Sequence, residues 1–477
     1  MALQTKAEKI VDEQGREVRL RGVCIGGWMN LENFINGYPG TEQGVRAALV
    51  EAIGASKAHF LFERLLDHVL AESDLAFLKG LGASAVRLPF NYRHFESDEK
   101  PFTYLEAGFE RLSRAIAWCE KHGLYAILDL HALPGYQNPG WHSDNGTGHA
   151  PFWQSQQSRD RFVALWEEFA RRYRGNRTVA GYNVMNEPVT GAPRGRFRHT
   201  YRTDWEAINT VYRRVVGAIR KIDPEHIIFL EGDLYSLRFS GLEAPFAENL
   251  VYSSHNYSAA GFGPGRYPGT FGNEAWDAAH QKRVFDQQEG THFTRQHRVP
   301  LWIGEFGSVY NGRPEEVGDR VRAMDDQLAA FEANAAHWTA WTYKDVETMG
   351  WVMLEPESEY VQRVQRVLEL KRTLGTDSWA GWLPQGDVAR LMEQAAERAA
   401  AAIGDPELPA NEFAHYLKQA ALDGFFGGLL QPAWAAAFKG LSENDIDRVL
   451  SSFALEQCRK NSALLDVVRK HVGTAGA

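Results

Sequence analysis

The sequence predicts an α/β chain folded as a (β/α)8 TIM barrel, with an insertion after strand 1 and a C-terminal helical extension. Three observations carry this. Apolar β-like runs alternate with amphipathic helical runs, the order that builds a parallel sheet covered by helices. Eight apolar runs can be counted, the number that closes such a barrel. The chain has 477 residues, enough for a barrel with an added module.

Strands buried on both faces read as nearly continuous apolar runs. They fall at 20–26, 85–90, 125–131 and 179–187, then at 226–231, 250–257, 300–305 and 337–343. Between them lie helices with one apolar stripe. Leu112, Ala115, Ile116 and Cys119 follow i, i+3, i+4, i+7 spacing, as do Phe162, Leu165, Trp166 and Phe169. Ile208, Val211, Tyr212 and Val215 repeat it. Each stripe would cover the barrel while the charged face meets water.

Two regions exceed a minimal barrel. Residues 30–70 combine a loop (Gly37, Pro39, Gly40) with a helix through Phe60, Leu65 and Val69. The catalytic barrel is expected over 1–374. Residues 375–477 read as helical, with Leu391, Ala395, Ala399 and Ala402 on one side and a capping box at Ser442, Glu443, Asn444 and Asp445. No strand signal is visible there. This region is expected to pack on the barrel rather than to stand as an independent interaction domain.

Hydrophobic residues make up 44% and charged residues 24%, an ordinary globular composition. A net charge of -9 argues against a nucleic-acid partner, whose phosphates need a basic surface. Cys24, Cys119 and Cys458 lie far apart, with no metal-ligand spacing. No run approaches membrane-spanning length and the first ten residues hold no apolar leader core. No membrane partner and a cytoplasmic location are therefore expected. The 14 tryptophans supply candidate platforms for sugar rings, although a single Trp is more often a core residue. Nothing in the sequence sets an oligomeric state.

In a parallel barrel the functional side chains stand at the C-terminal strand ends. Strand 2 ends near Arg87, strand 3 at Asp129, Leu130 and His131, and strand 4 at Asn186, Glu187 and Pro188. Strand 6 ends at His255, Asn256 and Tyr257, strand 7 at Glu305, and strand 8 near Trp341. Singly, Arg87 could be a structural ion pair, His131 a core histidine and Trp341 a packing residue. Two carboxylates ending apolar strands resist that explanation, because burying an unpaired charge is costly. Facing each other across the mouth, Glu187 and Glu305 are the equipment of glycoside hydrolysis. One is protonated to serve the leaving oxygen, and the other is ionised to attack the anomeric carbon. Arg87 and Tyr257 are expected to hold Glu305 ionised. Neighbouring negative charge and partial burial are expected to keep Glu187 protonated. Asn186 would hydrogen-bond the sugar 2-OH.

The runs Val184-Met185-Asn186-Glu187-Pro188 and Trp302-Ile303-Gly304-Glu305-Phe306-Gly307 resemble the acid/base and nucleophile motifs of glycoside hydrolase family 5. Arg87, His131, His255, Tyr257 and Trp341 match further positions of that family in the same order. The resemblance runs over roughly residues 15–352. It implies a retaining barrel hydrolase in which Arg87 orients the nucleophile and His255 and Tyr257 polarise it and contact the sugar. It also implies that His131 lines the sugar site and that Trp341 underlies the ring at the −1 subsite. Arg21-Gly22-Val23 through Gly26-Gly27-Trp28 and Glu32 resembles the opening of the family's exo-β-glucanases. By that resemblance Glu32 binds the terminal sugar's hydroxyls; a solvated loop position is the other reading.

The insertion, Glu32 and the missing leader favour exo action on β-glucosides or β-mannosides of short oligosaccharides or glycosides. An endo-acting β-glucanase or mannanase is the alternative. Trp141 and His142, in the 134–153 loop with Tyr136, His149 and Trp153, are candidates for sugar contact. Lys344 and Asp345 are candidates for hydroxyl contacts, and Trp351 for the leaving group. From other classes stand a catalytically silent carbohydrate-binding protein on the same scaffold and a metal-dependent hydrolase using His131, His142, His149 and His255. No HxH ends strand 1 and no carboxylate cage is evident, so neither a metal nor a cofactor is expected.

Overall fold

The computed structural model describes residues 3–191, 201–376, 387–404 and 410–473. At its centre eight parallel strands close a barrel in sequence order. They are β1 (Arg21–Cys24), β2 (Ala85–Asn91), β3 (Tyr125–Ala132) and β4 (Val179–Asn183). The other four are β5 (Ile227–Glu231), β6 (Leu250–Asn256), β7 (Leu301–Phe306) and β8 (His337–Ala340). All eight fall on the predicted runs. However, β4 stops at Asn183 and β8 at Ala340, so Glu187 and Trp341 stand on the loops that follow.

Successive strand residues face opposite ways. On β3, Ala126, Leu128 and Leu130 join the outer core, while Ile127 points into the barrel. On β5, Ile228 and Leu230 face outward and Ile227 and Phe229 inward. Along each inward row the chemistry changes with height. The lower barrel is filled by Ile127, Ala180, Phe229, Val251 and Trp302, and Leu3 and Ile10 of an N-terminal hairpin seal it from below. The upper positions are polar.

Helices Glu106–His122, Gln156–Tyr173, Trp205–Ile222 and Pro314–Ala333 follow β2, β3, β4 and β7. The three predicted stripes are buried, each Leu, Ile or Phe contributing about 1.5–3 kcal/mol. β5 departs from the pattern, with only the short turn Asp233–Ser236 after it.

After β1 the insertion holds two long helices, Glu42–Ile53 and Ala55–Val69, where the sequence suggested one. The first is capped by Thr41, whose Oγ1 accepts from the Gly44 N–H at 3.3 Å. The C-terminal region lies on these helices: Gly427–Ala436 packs on Glu42–Ile53 and Glu443–Leu450 on Ala55–Val69. The first contact is backbone-close, since a Cβ on Gly427 would come within 3.1 Å of Gly40 Cα.

Two expectations for this region are corrected. Cys458–Lys460 is a short strand paired antiparallel with Val352–Leu354; only Cys458 in it is buried, so it leaves almost no pattern. In helix Asp387–Ile403 the buried positions are Ala389 and Ala396, and Leu391 is 56% exposed. The seven-residue alanine spacing marks the packed face, and Leu391 lies off it. The capping box at Ser442 forms, with the Ser442 Oγ accepting from Asp445 N–H. No helix among the described residues is long and apolar enough to cross a membrane.

Candidate active site

Trp302 and Phe229 meet at 4.8 Å on top of the apolar plug. The guanidinium of Arg87 lies over Trp302, 5.5 Å from the ring. It is fully buried and stays charged, because the carboxylates of Asp129 and Glu305 outweigh its burial. Arg87 is the hub of the polar layer. Its Nη1 donates to Glu305 Oε1 at 2.5 Å and its Nη2 to Asn186 Oδ1 at 2.7 Å. Asn183 Oδ1 accepts from its Nε at 3.1 Å. Asp129 and Glu231 lie 3.1 and 3.4 Å from Nη2.

Glu305 on β7 receives a second bond, from the Tyr257 hydroxyl to Oε2 at 2.8 Å. Burial and the charge of Glu305 push the Tyr257 phenol well above its ordinary range, which keeps it a donor. Charge-assisted bonds of this kind are shorter and stronger than neutral ones. The predicted partners of Glu305 are thus in contact with it. Beneath them the Cys24 thiol, pushed up to about 12 by burial, is a neutral packing group.

Glu187 stands beyond β4 with a left-handed backbone, φ 46°, a conformation a non-glycine residue adopts at a cost of about 1–3 kcal/mol. Two bonds hold it there. Its N–H donates to Glu231 Oε2 at 2.9 Å, and its carbonyl accepts from Asn138 Nδ2 at 2.9 Å. The carboxylate lies between two imidazoles, His255 Nδ1 at 2.6 Å and His142 Nε2 at 3.0 Å. This corrects the expectation of a protonated Glu187. Burial raises its pKa, but the hydrogen bonds from His142 and His255 win and hold it well below the carboxylate range. His255 moves the other way. Burial lowers it, and Glu305 and Glu231 lift it well above the ordinary histidine value. The 2.6 Å bond therefore holds one proton, resting on the imidazole.

On the opposite side, His131 stacks on Trp341 with centroids 5.2 Å apart and planes 11° apart. Its Nδ1 meets Asp129 Oδ2 at 2.8 Å. Its Nε2 meets Asn186 Nδ2 at 3.2 Å and Glu32 Oε1 at 3.3 Å. Burial pushes His131 down to about 3, so the ring is neutral. Glu32 is buried, not solvated. Burial, with Glu305 and Glu187 nearby, raises it well above the usual range, so it presents a neutral carboxyl. Trp141 packs edge-on against Phe34 at 6.0 Å and against His142 at 5.5 Å.

These groups surround a cavity of about 450 Å³ whose wall includes Glu32, His131, Trp141, Glu187, Glu305 and Trp341, a volume suited to a small ligand. His142 and Tyr257 line it as well. Arg87, Asn186 and His255 reach it through the carboxylates and the histidine they bind. A Glu187 oxygen and a Glu305 oxygen lie within 4.8 Å of each other, with a nitrogen of His255 equally close. Among the described residues this is the only group with metal-ligand spacing. The histidines weighed as ligands do not form one, and His149 is exposed.

Three candidates are not at the site. Lys344 is buried, with Nζ donating to Asp74 Oδ1 at 2.8 Å and to the Val69 and Phe453 carbonyls at 3.0 and 2.7 Å. Asp345 caps the Thr348 and Gly350 N–H groups at 3.1 and 3.0 Å. Trp351 is 1% exposed in the core. Residues just past a strand end are near the mouth in sequence, but β8 turns them outward under the insertion.

Sequence reasoning missed Glu231, which binds Asn183, Arg87, His255 and the Glu187 N–H. The signal was present, since Glu231 ends an apolar run as Glu305 does. Tyr235 and Phe262, on loops after β5 and β6, line the cavity, and so do Lys418 and Asp423 of the C-terminal region. No strand-end rule reaches the last two, because they come from a region packed over the barrel mouth.

Residues 57–347 match the model of the cellulase family, glycosyl hydrolase family 5. A β-xylosidase of Phanerodontia chrysosporium is 36% identical over 482 residues, covering 98% of this chain and 97% of that protein. A probable glucan 1,3-β-glucosidase A of Emericella nidulans is 26% identical over 70% of this chain and 87% of its own length. Among solved structures, a glycoside hydrolase superposes with a TM-score of 0.52 at 20% identity, covering 69% of this chain and 90% of that one. An endogalactoceramidase gives 0.51 at 18% identity, covering 72% and 75%; both show the fold. With the barrel, the paired carboxylates and a match spanning more than half the chain, this protein belongs to glycoside hydrolase family 5 and is a glycosidase.

Proposed function

We propose that the protein is a retaining, exo-acting β-glycosidase with Glu187 as general acid/base and Glu305 as nucleophile. The observation that carries this is the approach of the two carboxylates to within 4.8 Å. Oxygens this close suit a retaining pair, whose carboxyl groups stand about 5–5.5 Å apart, better than an inverting pair, whose carboxyl groups stand about 6.5–9.5 Å apart to admit a water. Their unlike surroundings support unlike roles. Glu305, bonded by Arg87 and Tyr257, attacks the anomeric carbon. Glu187 delivers the proton it shares with His255 to the leaving oxygen. As attack consumes the charge on Glu305, one of the charges holding the proton on His255 disappears, and the proton moves toward Glu187 and the leaving group. In the second half-reaction Glu187 takes a proton from water, which displaces Glu305 from the sugar.

The substrate class is a β-pyranoside. The full-length similarity to a β-xylosidase and the partial similarity to a glucan β-glucosidase favour β-xylosides and β-glucosides over β-mannosides. Glu32, His131 and Trp341 form the glycone wall, and the residues that the insertion and the C-terminal region add to the cavity, Glu32, Lys418 and Asp423, support exo action. A time course with 4-nitrophenyl β-xyloside, β-glucoside and β-mannoside and with xylo- and cello-oligosaccharides tests this. The expected outcome is turnover of the xyloside or glucoside at least tenfold above the mannoside in kcat/KM, with oligosaccharides shortening from one end. Products of mixed length from the first time point would support endo action. Sugar binding without turnover of any β-glycoside would return the silent binding protein.

A further inference from the structure

A second cavity, of about 220 Å³, adjoins the catalytic one, and Trp141 and Asp423 line both. Its other walls include Thr41 of the insertion, Pro139 of the loop after β3, and Gly428 and Gln431 of the C-terminal region. The compartment is held in place by direct bonds. Gln431 Nε2 donates to the Pro39 and Thr41 carbonyls at 3.3 and 3.4 Å, and the Asp144 carboxylate accepts from the Gln43 N–H at 2.7 Å. Gly40 and Gly427 bring the two backbones together beside it. The space far exceeds what one water needs.

Its position and chemistry point to one kind of occupant. Trp141 clusters with Phe34 and Trp341, on the side of Glu32 and His131 where the glycone would lie. Tyr235, whose N–H donates to the carbonyl of Pro188 at 3.3 Å, stands on the Glu187 side, where the leaving group departs. The wall combines an indole and a prolyl ring with a hydroxyl, an amide and a carboxylate. That mixture suits a neutral polyol with one apolar face, and the carboxylate disfavours an anion.

We propose that this second cavity is a distal glycone subsite. It takes the outer pyranose ring of a β-linked disaccharide, which the enzyme releases intact, and the C-terminal region forms one wall. The inference rests on the retaining, exo-acting reading of the catalytic cavity. It gives the C-terminal region a part in specificity that the barrel alone does not provide.

The test compares 4-nitrophenyl β-cellobioside and β-xylobioside with the matching β-glucoside and β-xyloside, scoring nitrophenol released together with intact disaccharide. The wild-type enzyme is expected to favour one bioside over its monoside at least tenfold in kcat/KM. Gly428→Phe adds a ring at a position that lines the compartment, where a Cβ meets nothing within 4 Å. It is expected to reduce that ratio about tenfold through KM. A wild-type preference for both monosides, or a ratio that Gly428→Phe leaves unchanged, overturns the subsite. Calorimetric binding of cellobiose, xylobiose, glucose and xylose to Glu305→Gln reads the compartment without turnover. Failure of every glycoside to react therefore counts against the catalytic reading, while equal affinity for monosaccharide and disaccharide counts against the subsite.

Discussion

The chemistry at the scale of single residues turns on which group holds a proton. His255 carries it because Glu305 and Glu231 lift its pKa against burial, while Glu187, bonded by two imidazoles, is held low. A histidine raised above 6.5 keeps its proton above that pH and loses it as pH rises through the raised value. A carboxylate held below 4.5 stays ionised until pH falls through the lowered value. The imidazolium–carboxylate pair thus stabilises the fold between those limits, and loss of its proton sets the alkaline limb of activity. His255→Asn leaves that proton on Glu187 alone, so the alkaline limb of kcat/KM is expected to move to lower pH. A pH–rate profile with an unmoved limb contradicts the shared proton. Much of this cluster was legible in the sequence, since Arg87, Glu187, Tyr257 and Glu305 follow from polar residues ending apolar runs. What was not legible was the direction of the proton, which depends on His142 reaching Glu187 from another loop.

At the scale of elements, β8 and the loop after it join the barrel to everything packed outside it. Lys344 ties that loop to Asp74, to the carbonyl of Val69 and to the carbonyl of Phe453. Lys344→Met leaves the Asp74 carboxylate buried beside an apolar chain, at a cost of about 3–5 kcal/mol. Urea unfolding is expected to show that loss, with kcat of the folded enzyme within about twofold of wild type. Unchanged stability with a collapse of kcat/KM would restore Lys344 as a sugar contact. The barrel strands could be located because inward and outward rows are both apolar over most of their length. The Cys458–Lys460 strand could not, because one buried residue in three sets no period. Leu391 misled for the converse reason, being a large apolar side chain on the exposed face.

Considered as a whole molecule, the C-terminal region is bound at several places. Tyr360 and Lys371, on the helix that precedes it, hold the insertion through the carbonyls of Asn36, Asn33 and Tyr38 at 2.6–2.8 Å. Lys470 and His471 close onto Asp325 of the helix after β7 at 2.7 and 2.6 Å. We propose that residues 375–477 fold with the barrel as one cooperative unit. Calorimetry is expected to show one transition with equal calorimetric and van't Hoff enthalpies; two separable transitions would make the region an independent domain. The chemistry of Glu187 and Glu305 is read from the anomer first released from an aryl β-glycoside, followed by proton NMR before mutarotation. Retention predicts that the β-anomer appears first, with the α-anomer growing later; an α-anomer at the earliest time points would contradict it.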